Sequence, residues 1–335
     1  MAEIDQAAPA GKYLVDPYED WAKGEGIPIH TGASIDLLAV DTRPWARFGC
    51  KGAFCHLEGR CDFLSVFLVE LPPNTSSAPQ KHLYEEVSFV LSGSGATEIE
   101  LAEGGKQTIE WGAKSLFAVP MNARYRHRNT SGASARLAAV NDLRYLLGLY
   151  RSQKFIFDVP VTFPERAGGT NLVPDVAALA LREIEGEKGS ASASLTLAEG
   201  SIGADVVQLP CGTYEKARRQ MQGSHLFGVD GEGYTLAWEE GAQDFVRTDW
   251  RHGIVYAPPG MVFHQHFNAG RNPARYLDLQ LGSARYPMFR SRRAAYGDSE
   301  VYASGRAEIP YAEQDPRIHA MWLKAIIREG ATPRM

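Results

Sequence analysis

Short apolar runs separated by glycine, proline and polar residues dominate the chain. The run 63–71 has apolar side chains at both odd and even positions, which is typical of a strand buried on both faces. The runs 97–102 and 107–111 enclose Glu103-Gly-Gly, which is a hairpin signal. With 33 glycines and 19 prolines between such runs, the pattern predicts many short strands rather than helices.

Three helices are predicted outside the strands. Residues 17–23 can form a short helix, and residues 174–185 space four apolar residues so that they share one helical face. In the tail, Asp315 can cap a helix that starts at Pro316, and Gly330 can end it. The tail helix is expected to pack on a barrel wall or on a partner subunit.

One stretch concentrates the candidate chemistry. In residues 256–268 a Pro-Pro-Gly turn precedes His264 and His266. Residues two apart on a strand point to the same face, so the strand would aim two imidazoles at one place. Imidazole suits iron, zinc, copper and nickel. An ordinary hairpin with two surface histidines would also explain these residues.

A related stretch occurs earlier, at residues 117–129. Aligning Pro120 with Pro259 pairs Tyr125 with His264, His127 with His266 and Asn129 with Asn268. Tryptophans precede both copies, at Trp111 and Trp250, and similar strings with two glycines precede the tryptophans, at 90–97 and 228–235. A repeat of about 140 residues indicates a duplicated domain rather than a solenoid unit.

The duplication divides the chain into five parts. We predict an N-terminal arm (1–48), a first barrel (49–150), a connecting segment (151–203), a second barrel (204–285) and a tail with a helix (286–335). Closed antiparallel barrels agree with the repeat, the glycine turns and the strand periods.

Composition narrows the classes of partner. The chain of 335 residues has 40 acidic and 35 basic residues, a net charge of −5, and no basic stripe for nucleic acid. It has no long apolar run for a membrane span, and its first residues lack the features of a signal peptide, so we expect a cytoplasmic protein. The four cysteines, Cys50, Cys55, Cys61 and Cys211, have no CxxC spacing and are expected to be reduced thiols.

The spacing of the repeated residues resembles the two motifs of the cupin superfamily. His82, Glu86 and Gly93 follow the first motif, a His-x-His pair, a glutamate and a glycine. The second motif is followed by Gly253, Pro259, His264 and Asn268. Its glycine slots hold Lys114 and Asn122 in the first half and Met261 in the second. The resemblance implies an all-β fold of two cupin barrels, each a double-stranded β-helix or jelly roll, with an N-terminal arm and a C-terminal helix.

In the first half, the motif positions predict a mixed ligand set. The His-x-His pair falls on Gln80 and His82, and Tyr125 takes the histidine slot of the second motif. His82, Glu86 and His127 would give two histidines and a carboxylate, which is enough for a non-haem iron(II) site. Alternatively, His82 and Glu86 form a hydrogen-bonded pair in a metal-free barrel. Glu85 could also be the inward carboxylate.

In the second half, the His-x-His pair falls on Arg218 and Gln220. His225 is assigned to the glutamate slot, so His225 and His264, with or without His266, would supply two or three imidazoles and no carboxylate. An inward Arg218 would repel a cation but would bind a substrate carboxylate. This half is therefore either a histidine metal site or a site kept for anions. If the chain holds one metal only, we predict it in this half.

Three classes of function follow from these alternatives. The first, resembling the bicupin dioxygenases, is a metal-dependent oxygenase with Fe(II), or with Mn, Ni, Cu or Zn, acting on a small aromatic or keto acid. The second is a non-redox metal-dependent lyase, isomerase or hydrolase, with Tyr125 or His266 as the catalytic proton carrier. The third is a small-ligand-binding protein without chemistry. Gln80, Arg218 and Gln220 are the predicted substrate contacts. A homodimer is expected, with the arm and tail reaching across to a second chain.

Overall fold

The computed structural model of the chain describes residues 15–60, 63–101, 104–166, 168–219, 223–288 and 308–335. Four α-helices lie in these ranges: α1 (Pro17–Gly24), α2 (Leu143–Tyr150), α3 (Gln153–Ile156) and α4 (Pro316–Glu329). Two short 3-10 helices are Pro164–Arg166 and Tyr311–Glu313. None of the helices in the described ranges has the length and apolar character needed to cross a membrane.

Twelve short strands precede residue 174. They are β1 (Ile29–Gly32), β2 (Ser34–Asp36), β3 (Arg43–Trp45), β4 (Cys50–Leu57), β5 (Ser65–Leu71), β6 (Glu86–Ser92), β7 (Gly95–Glu100), β8 (Lys106–Trp111), β9 (Leu116–Ala118), β10 (Arg124–Asn129), β11 (Ala135–Asn141) and β12 (Leu172–Val173). The first barrel has a larger sheet in the order β1-β4-β5-β11-β6-β9-β12, with β3 on β4, and a smaller sheet in the order β10-β7-β8. Aromatic residues fill the space between them, including Trp45, Phe54, Phe67 and Phe117.

Twelve further strands follow in the second half. They are β13 (Arg182–Glu183), β14 (Ala191–Thr196), β15 (Ile202–Leu209), β16 (Thr213–Tyr214), β17 (Ala217–Arg218), β18 (His225–Asp230), β19 (Glu232–Trp238), β20 (Val246–Arg251), β21 (Ile254–Tyr256), β22 (Phe263–Asn268), β23 (Ala274–Leu281) and β24 (Glu308–Ile309). One sheet has the order β13-β14-β15-β23-β18-β21-β2, and the other β20-β19-β22-β17-β24, with β16 on β22. Two β-rich halves of the same architecture confirm the predicted all-β, two-barrel fold.

The segment that precedes each barrel adds a strand to a sheet of the other barrel. Strand β2, from the arm before the first barrel, pairs antiparallel with β21 of the second barrel. Strand β12, which precedes the second barrel, pairs antiparallel with β9 of the first. Strands β13 and β14, which fall in the predicted connecting segment, belong to the larger sheet of the second barrel. The arm and the connecting segment thus contribute strands to the larger sheets of the two barrels.

A continuous apolar core lies between the larger sheets of the two barrels. It draws on β5 and β6 from the first barrel and on β18 and β23 from the second. Phe89 and Phe227 meet edge to face across it, with ring centroids 6.0 Å apart. Burial of apolar surface is the main favourable term in folding, so this shared core stabilises the two barrels as one unit.

The arm and the tail both pack on their own chain. Helix α1 starts after Asp16, whose carboxylate accepts from two backbone N–H groups, and buries Tyr18 and Trp21 in the first barrel. Helix α4 has its N-cap at Asp315 and ends at Gly330, as predicted, and it buries Trp322 against the second barrel. In the part of the arm and tail that the structure describes, α1 and α4 contact their own chain, and the expected homodimer stays a prediction.

The predicted helix at 174–185 is wrong. The structure has turns and extended chain there, leading into β13. Val176 is fully buried in the core between the barrels, and Leu179 packs against the same core. The carbonyl oxygens of both residues accept from the guanidinium of Arg275 on β23, at 2.8 and 3.1 Å. Tertiary contacts on both sides of the segment therefore override its helical spacing.

The glycine slots of the second motif keep a left-handed backbone where the residue is not glycine. The φ angle is +91° at Gly253 and +63° at Met261 in the second half, and +67° at Lys114 and +56° at Asn122 in the first. Each turn leads into a strand that carries inward side chains. The turn geometry of the duplicated unit is therefore retained in both halves.

Candidate functional site

Strand β10 directs its buried residues into the first barrel. Its burial alternates, with Tyr125, His127 and Asn129 buried and the three arginines between them less so. This period of two is what a strand with one covered face requires. Tyr125 and His127 therefore point into the same interior, as predicted from their spacing.

A hydrogen-bonded chain joins His82, Tyr125 and Glu86 inside the first barrel. The Nδ1 atom of His82 lies 2.8 Å from the carbonyl oxygen of Tyr84, and its Nε2 atom lies 2.9 Å from the Tyr125 hydroxyl. A carbonyl oxygen only accepts, so Nδ1 carries the proton and Nε2 is the acceptor. The same hydroxyl lies 3.3 Å from Oε1 of Glu86. The imidazole is also stacked on the ring of Tyr84, with centroids 3.4 Å apart.

Two buried atoms next to this chain have no hydrogen-bond partner. They are Oε2 of Glu86 and Nε2 of His127. Both side chains are almost fully buried, with exposed fractions of 3% and 1%. A buried polar atom without a partner is costly, so each marks a place for a water or a ligand.

Burial shifts the ionisation of every member of this group. It raises the pKa of Glu86 to about 7 and lowers the pKa of His82 to about 3 and that of His127 to about 4. It also raises the pKa of Tyr125 well above its usual value. At neutral pH the two imidazoles and the phenol are uncharged, and Glu86 is the one group of the four that titrates there.

Gln80 and Glu85 have other tasks in the structure. The Gln80 amide donates to the carbonyl oxygens of Arg47 and Ala78, at 2.9 and 3.1 Å, so its NH₂ group is tied to the main chain. Glu85 is not the inward carboxylate, because it pairs with Arg166 and accepts from the backbone of the connecting segment at Ile202, at 3.2 Å. Glu86 is the inward one.

In the second barrel, Arg218 faces the same side of the sheet as His264. The two residues are direct cross-strand partners on β17 and β22. The guanidinium lies 3.1 Å from Oε1 of Glu215, which is fully buried. The other carboxylate oxygen of Glu215 accepts from the Tyr276 hydroxyl at 2.9 Å. Glu215 holds the pKa of Arg218 above its usual range, so the arginine is a permanent cation at this site.

His264 and His266 lie side by side in this barrel, with ring centroids 5.5 Å apart. Nδ1 of His264 lies 3.2 Å from the carbonyl oxygen of Val262. Burial, and then the charge of Arg218, lower the pKa of His264 to about 4. Burial and the neighbouring His264 and Arg218 lower that of His266 well below its usual value. Both rings are neutral, beside an ion pair.

His225 does not join these histidines. It is the cross-strand partner of Leu279 on β23, whose side chain lies in the core between the barrels. Phe227, two residues on, faces the same core and meets Phe89 there. The prediction that His225 completes a set with His264 is therefore corrected, because a shift of one residue moves a side chain to the other face of a strand.

The glutamate slot of the second half falls on Ser224 instead. A gap of three residues after Gln220, as after His82 in the first half, places the slot on Ser224, whose hydroxyl is hydrogen-bonded to Asp278. Gln220 itself lies outside the described residues. The second barrel thus has one histidine, and no carboxylate, at the motif positions that the structure describes.

One side-chain arrangement occurs in both barrels. In the first, Trp111 Nε1 donates to Thr97 Oγ1 at 3.0 Å, and Thr97 Oγ1 lies 2.8 Å from Nδ1 of His127. In the second, the corresponding distances are 3.2 Å and 2.8 Å, and the residues are Trp250, Thr235 and His266. The duplicated barrels therefore retain a Trp–Thr–His chain.

Some site residues escaped the sequence analysis. The threonines of the two Trp–Thr–His hydrogen-bond chains could have been found from the repeat, since Thr97 and Thr235 end the two aligned segments at 90–97 and 228–235. Glu215 carried no signal, because it and Arg218 are three residues apart and share a face only through a local shift in strand register. Across β22, Tyr214 pairs with Phe267, whereas Arg218 pairs with His264.

Neither barrel holds a preassembled metal cage. Within the described ranges, no three His, Cys, Asp or Glu side chains come together as metal ligands. In the first barrel the Tyr125 hydroxyl occupies the lone pair of His82 that an ion would need. In the second, the cation of Arg218 lies beside His264. The residues present therefore do not fit the metal that cupin barrels suggest.

Comparison with known proteins supports the fold. Residues 67–141 match the model of the cupin domain. No curated protein sequence matches the chain. Among solved structures, a deletion mutant of the oxalate decarboxylase OxdC of Bacillus subtilis superposes with a TM-score of 0.52 at 15% identity, covering 75% of this chain and 77% of that one. A tryptophan-to-phenylalanine mutant of the B. subtilis oxalate decarboxylase gives 0.51 at 14% identity, covering 82% and 83%. At this identity the likeness to the solved structures is one of fold, and the matched model identifies residues 67–141 as a cupin domain.

Proposed function

We propose that this bicupin is an enzyme that moves a proton on a small organic acid in its first barrel. The observation that carries the proposal is the buried chain from His82 through Tyr125 to Glu86, with Oε2 of Glu86 left free. A free carboxylate oxygen backed by a hydrogen-bonded chain is the arrangement that general acid–base catalysis needs.

Glu86 is the proposed general base. It is the member of the chain that titrates near neutral pH, where a base is most effective. Its Oε2 atom would take the proton from a carbon next to a carbonyl or carboxylate group of the substrate. Tyr125 stays a phenol because burial raises its pKa, so it serves as a hydrogen-bond donor.

The chain can absorb the change of charge on Glu86. The Tyr125 hydroxyl has one proton and two acceptors in reach, Nε2 of His82 and Oε1 of Glu86. When Glu86 is ionised, the hydroxyl can donate to it. When Glu86 becomes protonated, the hydroxyl can turn to His82, which remains a neutral acceptor. Because the hydroxyl has a single proton, it satisfies one of these two acceptors at a time, and its direction follows the charge on Glu86.

The proposed substrate class rests on the entrance of the first barrel. A surface pocket of about 180 Å³ is lined by residues that include Lys81, Glu100, Asn122, Arg124 and Phe163. The backbone N–H of Asn122 donates to the carbonyl oxygen of His82 at 3.0 Å, so the pocket adjoins the strand segment that carries the site. Of the two cations at this pocket, Arg124 is paired with Asp158 at 2.9 Å, so Lys81 is the one that would attract an anion. The matched oxalate decarboxylases are named for a small organic acid too.

Solvent exchange tests this proposal. A panel of small 2-oxo and 2-hydroxy acids is incubated with the protein in D₂O, and deuterium at the carbon next to the carboxylate or carbonyl is followed by proton NMR. We expect enzyme-dependent incorporation into at least one acid, and a fall of about 10²-fold or more for Tyr125→Phe and Glu86→Gln. His264→Gln, in the second barrel, is the matched control and should keep the rate. An equal loss in His264→Gln, or no exchange with any acid, would refute the proposal.

A metal-dependent oxygenase with Fe(II) is the second candidate. It is favoured by one observation, that His82 and Glu86 keep two of the ligand positions of the first motif and Glu86 has a free oxygen. Iron would supply oxygen activation, and Tyr125 would first have to release His82. Elemental analysis of anaerobically purified protein tests it. About one iron per chain, lost in Glu86→Ala and kept in His264→Ala, would favour this candidate.

A further inference from the structure

The Trp–Thr–His chains of the two barrels determine which ring nitrogen of each histidine carries the proton. We infer that they hold His127 and His266 as Nε2–H tautomers, so that each presents a hydrogen-bond donor to a ligand oxygen and not a lone pair to a metal. The inference makes Trp111 and Thr97, and their counterparts in the second barrel, positioning residues.

The direction of each chain follows from its first member. The indole N–H of Trp111 can only donate, so Oγ1 of Thr97 is its acceptor. The hydroxyl of Thr97 then has one proton to place, and Thr97 is fully buried. Among the described residues, Nδ1 of His127 is the one acceptor within its reach, at 2.8 Å.

The opposite direction would waste a buried donor. If Nδ1 of His127 carried the proton and donated to Thr97, the threonine oxygen would accept twice and its own proton would have no acceptor. Donation from Thr97 to Nδ1 gives both the indole N–H and the threonine O–H an acceptor. It places the imidazole proton on Nε2. The same reasoning applies to Trp250, Thr235 and His266, since Thr235 is fully buried and makes the same two contacts.

The other inward histidines have the opposite tautomer. Nδ1 of His82 faces the carbonyl oxygen of Tyr84, and Nδ1 of His264 faces that of Val262. A carbonyl oxygen requires a proton on Nδ1, so Nε2 of these rings keeps its lone pair. Each barrel thus combines one histidine that accepts and one that donates.

The donor of the first barrel still lacks its acceptor. Nε2 of His127 is buried and has no hydrogen-bond partner, which indicates a ligand with an oxygen acceptor at this position. In the second barrel, the cation of Arg218 acts on the ring of His266 as well. A donor near a permanent cation suits a carboxylate. We therefore assign a small carboxylate as the ligand class of both donors. In the first barrel this rests on the proposed function, where His127 would hold the oxygen of the acid that Glu86 deprotonates, but the tautomer itself rests on hydrogen bonds alone.

Nitrogen NMR measures the tautomers without substrate. Histidine is labelled with ¹⁵N, and long-range ¹H–¹⁵N spectra are recorded at neutral pH, with the nine histidines assigned by single substitutions. We expect protonated Nε2 and unprotonated Nδ1 for His127 and His266, and the reverse for His82 and His264. Thr97→Val should shift His127 away from the Nε2–H form and leave His266 unchanged, and Thr97→Ser should restore it.

Two results would overturn the inference. One is a protonated Nδ1 at His127 or His266 in the unaltered protein, which needs no variant to be seen. The other is an unchanged His127 tautomer in folded Thr97→Val. Neither result depends on any turnover, so failure of the tautomer assignment and failure of the proposed proton transfer are separate outcomes.

Discussion

Single residues in left-handed conformation shape the turns before the site strands. Met261, at φ +63°, stands where the second motif has a glycine, and its side chain is 53% exposed. A side chain in this conformation strains the backbone, and an exposed one has little packing to offset the strain. The turn was predictable from the motif spacing, although methionine, unlike glycine, does not favour the positive φ that this turn requires.

Met261→Gly should stabilise the protein by about 1 kcal/mol, because glycine adopts a positive φ at no steric cost. Chemical unfolding measures the change. The matched control is Leu149→Gly, which also alters an exposed apolar residue, at 53% exposure, but inside α2. That change should destabilise by about 1 kcal/mol. A loss of stability in Met261→Gly would contradict the strain argument.

Asp142 supplies a test of buried charge away from the site. Burial, and then the neighbouring Glu85, raise its pKa from 3.8 to about 8, and its Oδ1 accepts from the backbone N–H of Glu85 at 2.8 Å. Between these two pKa values the folded protein keeps a proton that the unfolded chain releases. This contribution to the free energy of unfolding is therefore full below pH 4 and falls as the pH rises toward 8.

Asp142→Asn keeps an acceptor for Glu85 but cannot ionise. We expect the variant to gain stability relative to the unaltered protein at pH 8 and to gain clearly less at pH 5, measured by urea unfolding at both values. Asp249→Asn, whose parent side chain is 72% exposed, is the control and should show no such difference. An equal effect of Asp142→Asn at both pH values would contradict the raised pKa.

Elements were predictable where their signals were local. The start of α4 at Pro316, its cap at Asp315 and its end at Gly330 are all as predicted. The prediction of a helix at 174–185 was wrong because the apolar residues of this segment pack in the core between the two barrels. Local periodicity carries no information about such contacts. The assignment of His225 was wrong for a related reason. It assumed a gap of four residues after Gln220, where the first half has three after His82, and one residue decides the face of a strand.

Trp322 anchors α4 on the second barrel. The residue is fully buried and its ring meets that of Tyr214, with centroids 5.1 Å apart. Trp322→Ala should reduce the free energy of unfolding by about 3–5 kcal/mol, since it leaves a large cavity. Ile327→Ala, on the same helix but 77% exposed, should change it by less than about 0.5 kcal/mol. Similar losses in the two variants would mean that α4 does not pack as described.

At the scale of the whole molecule, duplication has produced two barrels with one architecture and different interiors. The first has an uncharged histidine and tyrosine beside a carboxylate, His82, Tyr125 and Glu86, and the second has two neutral histidines beside an arginine paired with Glu215. Motif spacing was sufficient to predict the shared architecture. It could not predict the division of chemistry, because that depends on hydrogen bonds between residues far apart in the chain.

The expectation that a single metal would lie in the second barrel rested on three histidines. One of them, His225, faces the core between the barrels, and Arg218 lies beside another, His264. Arg218 is held there by its ion pair with Glu215 and supplies no lone pair to a metal. We therefore propose that the first barrel works by proton transfer to Glu86, with Tyr125 as its hydrogen-bond donor and without a metal.

Chelation tests this claim most directly. The rate of deuterium incorporation into the responsive acid is measured before and after exhaustive treatment of the protein with a chelator, in metal-free buffer. Proton transfer to Glu86, supported by the hydrogen bond from Tyr125, predicts the same rate in both samples. Loss of the rate on chelation, with recovery on adding Fe(II) or Mn(II), would contradict it and assign the chemistry to a metal.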